Sequence, residues 1–125
     1  MNRQITSEIH PAFLGIIPPQ AIDIERMVLG YCIGVNKTIE VSEYLDADYF
    51  YKEEHQIIFA TCLEMVDKKI AIDPLAIINH LRKIDKLESV GGSYYINKLY
   101  EDLTSHANLE YHCRIIQECW MKREL

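Results

Sequence analysis

YKEEHQIIFATCLEMVDKK, residues 51–69, is the stretch whose reading decides the fold. His55, Ile58, Phe59, Cys62, Met65 and Val66 recur at i, i+3, i+4, i+7, i+10 and i+11. At roughly 100° per residue these six fall on one stripe of an α-helix. Ile57 and Ala60 lie nearly opposite, with Leu63 on the flank, and a helix apolar on more than one side is covered on more than one side. Lys52, Glu53 and Glu54 open the stretch and Lys68 and Lys69 close it. Early acids and late lysines both suit the helix macrodipole. The pattern predicts a central helix with the other elements packed around it, and Ile58, Phe59, Cys62 and Val66 as core residues.

Upstream, residues 21–35 form an earlier helix with Ile24, Met27, Val28, Tyr31 and Val35 on its stripe, placing Met27 and Val28 in the core. Gly34 and Asn36 supply stop signals. Residues 38–45 read as a short second helix carrying Ile39, Val41 and Leu45, weakened by β-branched residues. Downstream, Asp73 is an N-cap candidate with Pro74 at the first helical position. The helix that follows runs to about Ile84, with Ile77, Ile78, Leu81 and Ile84 inward. Gly91-Gly92 permits a tight turn. Ile96, Leu99, Tyr100 and Leu103 then mark a fifth helix, with Ile96 and Leu99 in the core. Ser105 is the N-cap candidate of a sixth, which carries Leu109, Cys113, Ile116 and Trp120, the last two again core residues. No terminator follows it, which reads as a fragment boundary inside a helix. The fold class is all-α, about six helices in an orthogonal bundle, with the last helix truncated.

The 125 residues make one domain, long enough to bury a core without staples. Residues 1–17 read as a mobile tail, although Phe13, Leu14, Ile16 and Ile17 could lie along the domain surface. A net charge of −6 argues against a nucleic-acid-binding surface as the main business. Cys32, Cys62, Cys113 and Cys119 form no CxxC pair, and read as buried free thiols in a reducing compartment. No run is long enough for a membrane span and no signal peptide is visible, so the chain reads as cytoplasmic.

Chemistry is sparse. The glycines do not group into a phosphate loop, and neither GxSxG nor HExxH occurs. His112 beside Cys113, with Cys119 six residues on, is the nearest approach to a metal cluster. Neighbours on one helix point ~100° apart, which makes a shared ion awkward. His55 on the central stripe reads as a partly buried, hydrogen-bonded histidine. Arg82, Lys83 and Lys86 form a modest basic patch. The eight tyrosines suit either an interface or the edge of the core. Tyr111 and Ile115 lie four apart on the outer face of the sixth helix, a candidate partner interface, with a plain surface position as the alternative. No residue is assigned a catalytic, cofactor-binding or metal-ligating role.

Five segments in order resemble one family: PPQAIDIERMVLG, LDADYFYKEEHQIIFATCLEM, IDPLAIINHLRK, LESVGGSYYINKL and SHANLEYHCRIIQE. Together they resemble the N-terminal domain of replicative DnaB-type DNA helicases, over residues 18–125. The resemblance implies an all-α head leading into a helical hairpin, and in the parent a RecA-type ATPase that uses ATP and Mg. It implies heads and hairpins assembling into a collar on a hexameric ring and docking primase, with a helicase loader as a further partner. The hairpin's return helix and the Walker motifs do not occur within residues 1–125, so the expectation is no catalysis from this fragment, no strong DNA binding, and a monomer or weak dimer. The rival expectation is a nucleic-acid-binding module of a replication-initiation factor, using Arg82, Lys83 and Lys86. A third, an all-α metal or redox enzyme, would need bound metal.

Overall fold

The computed structural model describes residues 20–103 and 107–125. The tail expectation for residues 1–17 lies outside the described residues, as does Ser105 itself; the sixth helix begins at Leu109 with Asn108, not Ser105, at its N-cap position. Six α-helices are present among them and no strand: α1 Ile22–Gly34, α2 Thr38–Ser42, α3 Glu53–Asp67, α4 Pro74–Lys83, α5 Gly92–Glu101 and α6 Leu109–Arg123. Two 3-10 turns, Ala47–Tyr49 and Glu88–Val90, precede α3 and α5. The fold is all-α, as the periodicity requires.

Helix α3 packs against α1, α2, α4 and both 3-10 turns. His55, Ile58, Phe59, Cys62 and Met65 are buried along its stripe, and Val66 is half-buried at the end. The centre is shared, however. Six consecutive residues of α1, Val28 to Ile33, are buried, and α1 packs against α2, α3, α5 and α6. A run of consecutive buried residues needs neighbours on several sides of the helix. That corrects the placing of Met27, which is 37% exposed at the lip of a groove with Arg26, Leu99 and Asp102. Met27 shares its face with Asp23, Arg26 and Gly30, which line the same groove, so the apolar stripe read from the sequence runs onto the polar edge of α1.

Helices α1 and α5 approach closely because Gly30 and Gly34 have no side chains. A Cβ at Gly30 would stand 3.0 Å from the Leu99 carbonyl oxygen, and one at Gly34 would stand 2.9 Å from Leu103 Cδ2. Gly34 is therefore a packing residue, and Asn36, at φ 57°, makes the left-handed turn.

Asp73 Oδ1 accepts from the Ala76 N–H at 2.8 Å, with Pro74 opening α4. Helices α3 and α4 both end in Schellman turns built on non-glycine residues. Lys69 and Asp85 each take φ 59°, and Ile70 N and Lys86 N each reach back 2.8 Å to Met65 O and Leu81 O. This turn explains a second correction: Ile84, expected inward, is 46% exposed. It caps α4, the chain leaves the helical path at Asp85, and buried Leu87 takes the inward place. Tyr100 and Ile39 also face outward, at 48% and 60% exposure. Helix α2 closes at Ser42, short of the expected Leu45, where the Ser42 hydroxyl donates to Ile39 O at 2.6 Å.

Candidate interaction surface and its buried support

The chemistry-bearing side chains gather where α1, α3 and α5 meet. Glu25 and His55 are 1% and 0% exposed. The Glu25 carboxylate accepts from the Tyr51 N–H at 2.6 Å and from His55 Nδ1–H at 2.7 Å, with a longer contact from the Lys52 N–H at 3.5 Å. The other ring nitrogen, Nε2, is hydrogen-bonded to the Tyr95 hydroxyl at 2.6 Å. The two ring planes are nearly parallel, 6° apart, with centroids 5.9 Å from one another. Lys52 and its neighbours lead into α3 with no side-chain cap of their own, so Glu25 on α1 serves that end of α3.

A histidine between a carboxylate and a hydroxyl has the outline of a nucleophile-activating triad. The environment does not suit that chemistry. Both imidazole nitrogens are engaged and the ring is closed to solvent. Burial pushes the Tyr95 hydroxyl above its usual 10.0, with Glu54 and Glu25 adding to the shift and Arg26 opposing it. The constellation instead ties three helices together.

The cysteines are equally quiet. All four are free and buried. Burial pushes the Cys113 thiol up to about 12, and raises Cys32 and Cys119 as well, so none supplies a ready thiolate. Among the described residues no group of three His, Cys, Asp or Glu side chains could hold a metal ion. His112 faces Tyr31, whose hydroxyl lies 2.6 Å from His112 Nδ1. No helix among them is long and apolar enough to cross a membrane.

Burial lowers the His112 pKa from 6.5, which has a consequence for stability. Above pH 6.5 the ring is neutral in both folded and unfolded chains, and its contribution is complete. As pH falls below 6.5 the unfolded chain takes up the proton first, so stability declines until the lower folded pKa is passed. The urea midpoint should therefore fall from pH 7 to pH 5 more steeply in the parent than in His112→Gln. Parallel pH profiles would show that His112 is not held neutral by its surroundings.

The outer face of α6 carries the two residues named as a candidate interface. Tyr111 is 64% exposed and Ile115 is half-buried beside it. Cys113 and Ile116 point inward, fully and almost fully buried. Trp120 is half-buried because one face of its ring stacks on Tyr49, with centroids 3.9 Å apart and planes at 10°. Of the remaining core candidates, Val28, Ile58, Phe59, Cys62, Ile96 and Leu99 are buried.

Sequence reasoning missed Glu25 as the partner of His55. The signal was available: Glu25 precedes Val28, Leu29 and Cys32 at i+3, i+4 and i+7, an acid in register with buried apolar residues.

Residues 17–118 match the family described as DnaB-like helicase N terminal domain. Replicative DNA helicase DnaB of Rhodothermus marinus is 33% identical over 125 residues, covering 98% of this chain and 13% of that protein. Its namesake in Treponema pallidum (strain Nichols) is 38% identical over 112 residues, covering 89% of this chain and 26% of the relative. The chain thus spans no more than 26% of the length of either. The crystal structure of the N-terminal domain of DnaB helicase from Mycobacterium tuberculosis matches with a TM-score of 0.79 at 26% identity, over 85% of this chain and 78% of that one.

Proposed function

The chain belongs to the DnaB-like helicase N-terminal domain family, and from that premise we propose that it is the interaction and ring-assembly domain of a cytoplasmic replicative DNA helicase. In this reading the domain itself catalyses nothing. ATP and Mg serve a separate motor domain of the parent, and this domain supports hexamer assembly and docks primase, with a loader as a further partner. The observation that carries the reading is the outer face of α6, where Tyr111 stands 64% exposed beside Ile115 on a helix whose other side is core. An exposed aromatic beside a β-branched residue supplies the apolar area that a modest hot spot needs. The nucleic-acid-binding alternative gains no comparable observation: Arg82 is hydrogen-bonded to Asn79 at 3.1 Å on an exposed helix end, where cations already suit the macrodipole.

The test uses Tyr111→Ala with Ile115→Ala. Circular dichroism should show helicity unchanged. In a longer helicase chain carrying this domain, calorimetry should show self-association or primase binding weakened by roughly 1 kcal/mol or more. Unchanged affinity for both would remove these residues from the interface. The 125-residue chain alone should scatter light as a monomer or weak dimer. A stable hexamer at micromolar concentration would contradict that expectation.

A further inference from the structure

The buried network does not stop at Glu25. Tyr49, Phe50 and Tyr51 form a short stretch in which Phe50 is extended, at φ −71° and ψ 141°. Neighbouring side chains on extended backbone point to opposite sides. Phe50 accordingly enters the core, 0% exposed and 5.1 Å from the Phe59 ring. Tyr49 and Tyr51 turn toward α6. Tyr49 stacks on Trp120, and the Arg123 guanidinium donates to Tyr49 O at 2.7 Å while lying 5.3 Å from the Tyr51 ring centroid. The Tyr51 N–H then donates to Glu25, Glu25 accepts from His55, and His55 meets Tyr95. Directional contacts therefore run without a break from the last turn of α6, through residues 49–51 and α1, to α3 and α5.

We propose that this chain of contacts is a conformational relay, in which the last turn of α6, held by Trp120 and Arg123, and the Tyr95 corner of α5 shift their equilibria together. Three features favour coupling over two independent anchors. The link between the ends is backbone, fixed on one side by Arg123 and on the other by the Glu25 carboxylate, so a shift of residues 49–51 toward one anchor strains the other. Glu25 and His55 are buried and mutually satisfied, so either one moving alone leaves a buried donor or acceptor unpaired. Tyr95 also borders a surface groove with Ile22, Arg26, Lys52, Glu54 and Val90, which gives the far end contact with solvent. Coupling is reciprocal: whatever displaces the end of α6 loosens the Tyr95 corner, and whatever orders that corner steadies α6. The proposal concerns the domain's own contacts and does not depend on which partner α6 meets.

Amide hydrogen exchange on the 125-residue chain reads both ends at once. Arg123→Gln removes the guanidinium's contacts with Tyr49 and Tyr51, and Tyr95→Phe removes one hydroxyl at the opposite end. With Arg123→Gln, the Tyr95 and Ile96 amides at the far end should exchange about fivefold faster or more, the lower end of typical coupling. With Tyr95→Phe, amides at residues 120–123 should accelerate comparably. Lys98→Ala, which removes an exposed ion pair with Asp102 elsewhere on α5, should leave both ends unchanged. If each variant alters only its own end, with the far end within about twofold of the parent, the relay does not exist and the anchors are independent. Trp120→Phe, which keeps a ring against Tyr49, replaces Arg123→Gln should that variant lose helicity, with the same outcomes deciding.

Discussion

Glu25→Ala is expected to destabilise the domain by roughly 2–6 kcal/mol, the cost of leaving two buried donors without their acceptor. The substitution removes the acceptor of two close donors, the Tyr51 N–H and His55 Nδ1–H, at a site that is 1% exposed. Water cannot readily replace it, and each buried donor left unpaired costs about 1–3 kcal/mol. Against the ~5–15 kcal/mol that holds a typical domain together, such a loss leaves the fold marginal. Glu25→Gln separates charge from shape. Its amide oxygen can still accept one bond, but its NH2 faces a donor, so its urea midpoint should fall between those of parent and alanine variant. A midpoint for Glu25→Ala indistinguishable from the parent's would show that the carboxylate is not what holds α1 to the start of α3.

That arrangement also marks how far periodicity carries. The helix over α3 was legible because its apolar residues keep one stripe, and the start of α4 was legible because Asp73-Pro74 is local chemistry, complete within four residues. Where the information is non-local the reading fails or falls silent. Helix α1 is apolar over most of its length, so its strongest stripe ran on to Met27, whose face it shares with Asp23 and Arg26, while the buried surface runs over Val28 to Ile33. Lys69 and Asp85 turn left-handed without glycine, because the Schellman hydrogen bonds and the inward placement of Leu87 outweigh the modest cost of that conformation. Ile84 could not be placed without knowing that turn. The candidate surface was readable only as a helical face. Tyr111 and Ile115 share it by spacing, but the stacking of Trp120 on Tyr49 joins residues 71 apart in sequence. No pattern within α6 reports it.

Phe59→Ala carries the other large expected effect, roughly 3–5 kcal/mol, from lost transfer free energy together with the cavity left behind. Phe59 is 0% exposed at the middle of α3, and its ring lies tilted at 39° against Phe50. Phe50 in turn meets the His55 ring edge-on, with centroids 6.5 Å apart. The vacated volume would therefore open beside the residues that fix the Tyr49–Tyr51 stretch. Partial collapse of Phe50 into the space would recover some packing at the expense of the geometry around Glu25. Two consequences separate this account from simple loss of apolar area. Phe59→Leu, which refills most of the volume, should recover more than half of the loss in denaturant midpoint. In addition, Phe59→Ala and Glu25→Ala should combine to less than the sum of their separate effects, because sites that share a packed neighbour are coupled. Strict additivity would place Phe59 and the buried network in separate cooperative regions. An unchanged midpoint for Phe59→Ala, with unchanged denaturant sensitivity, would mean that α3 does not present this face to the core.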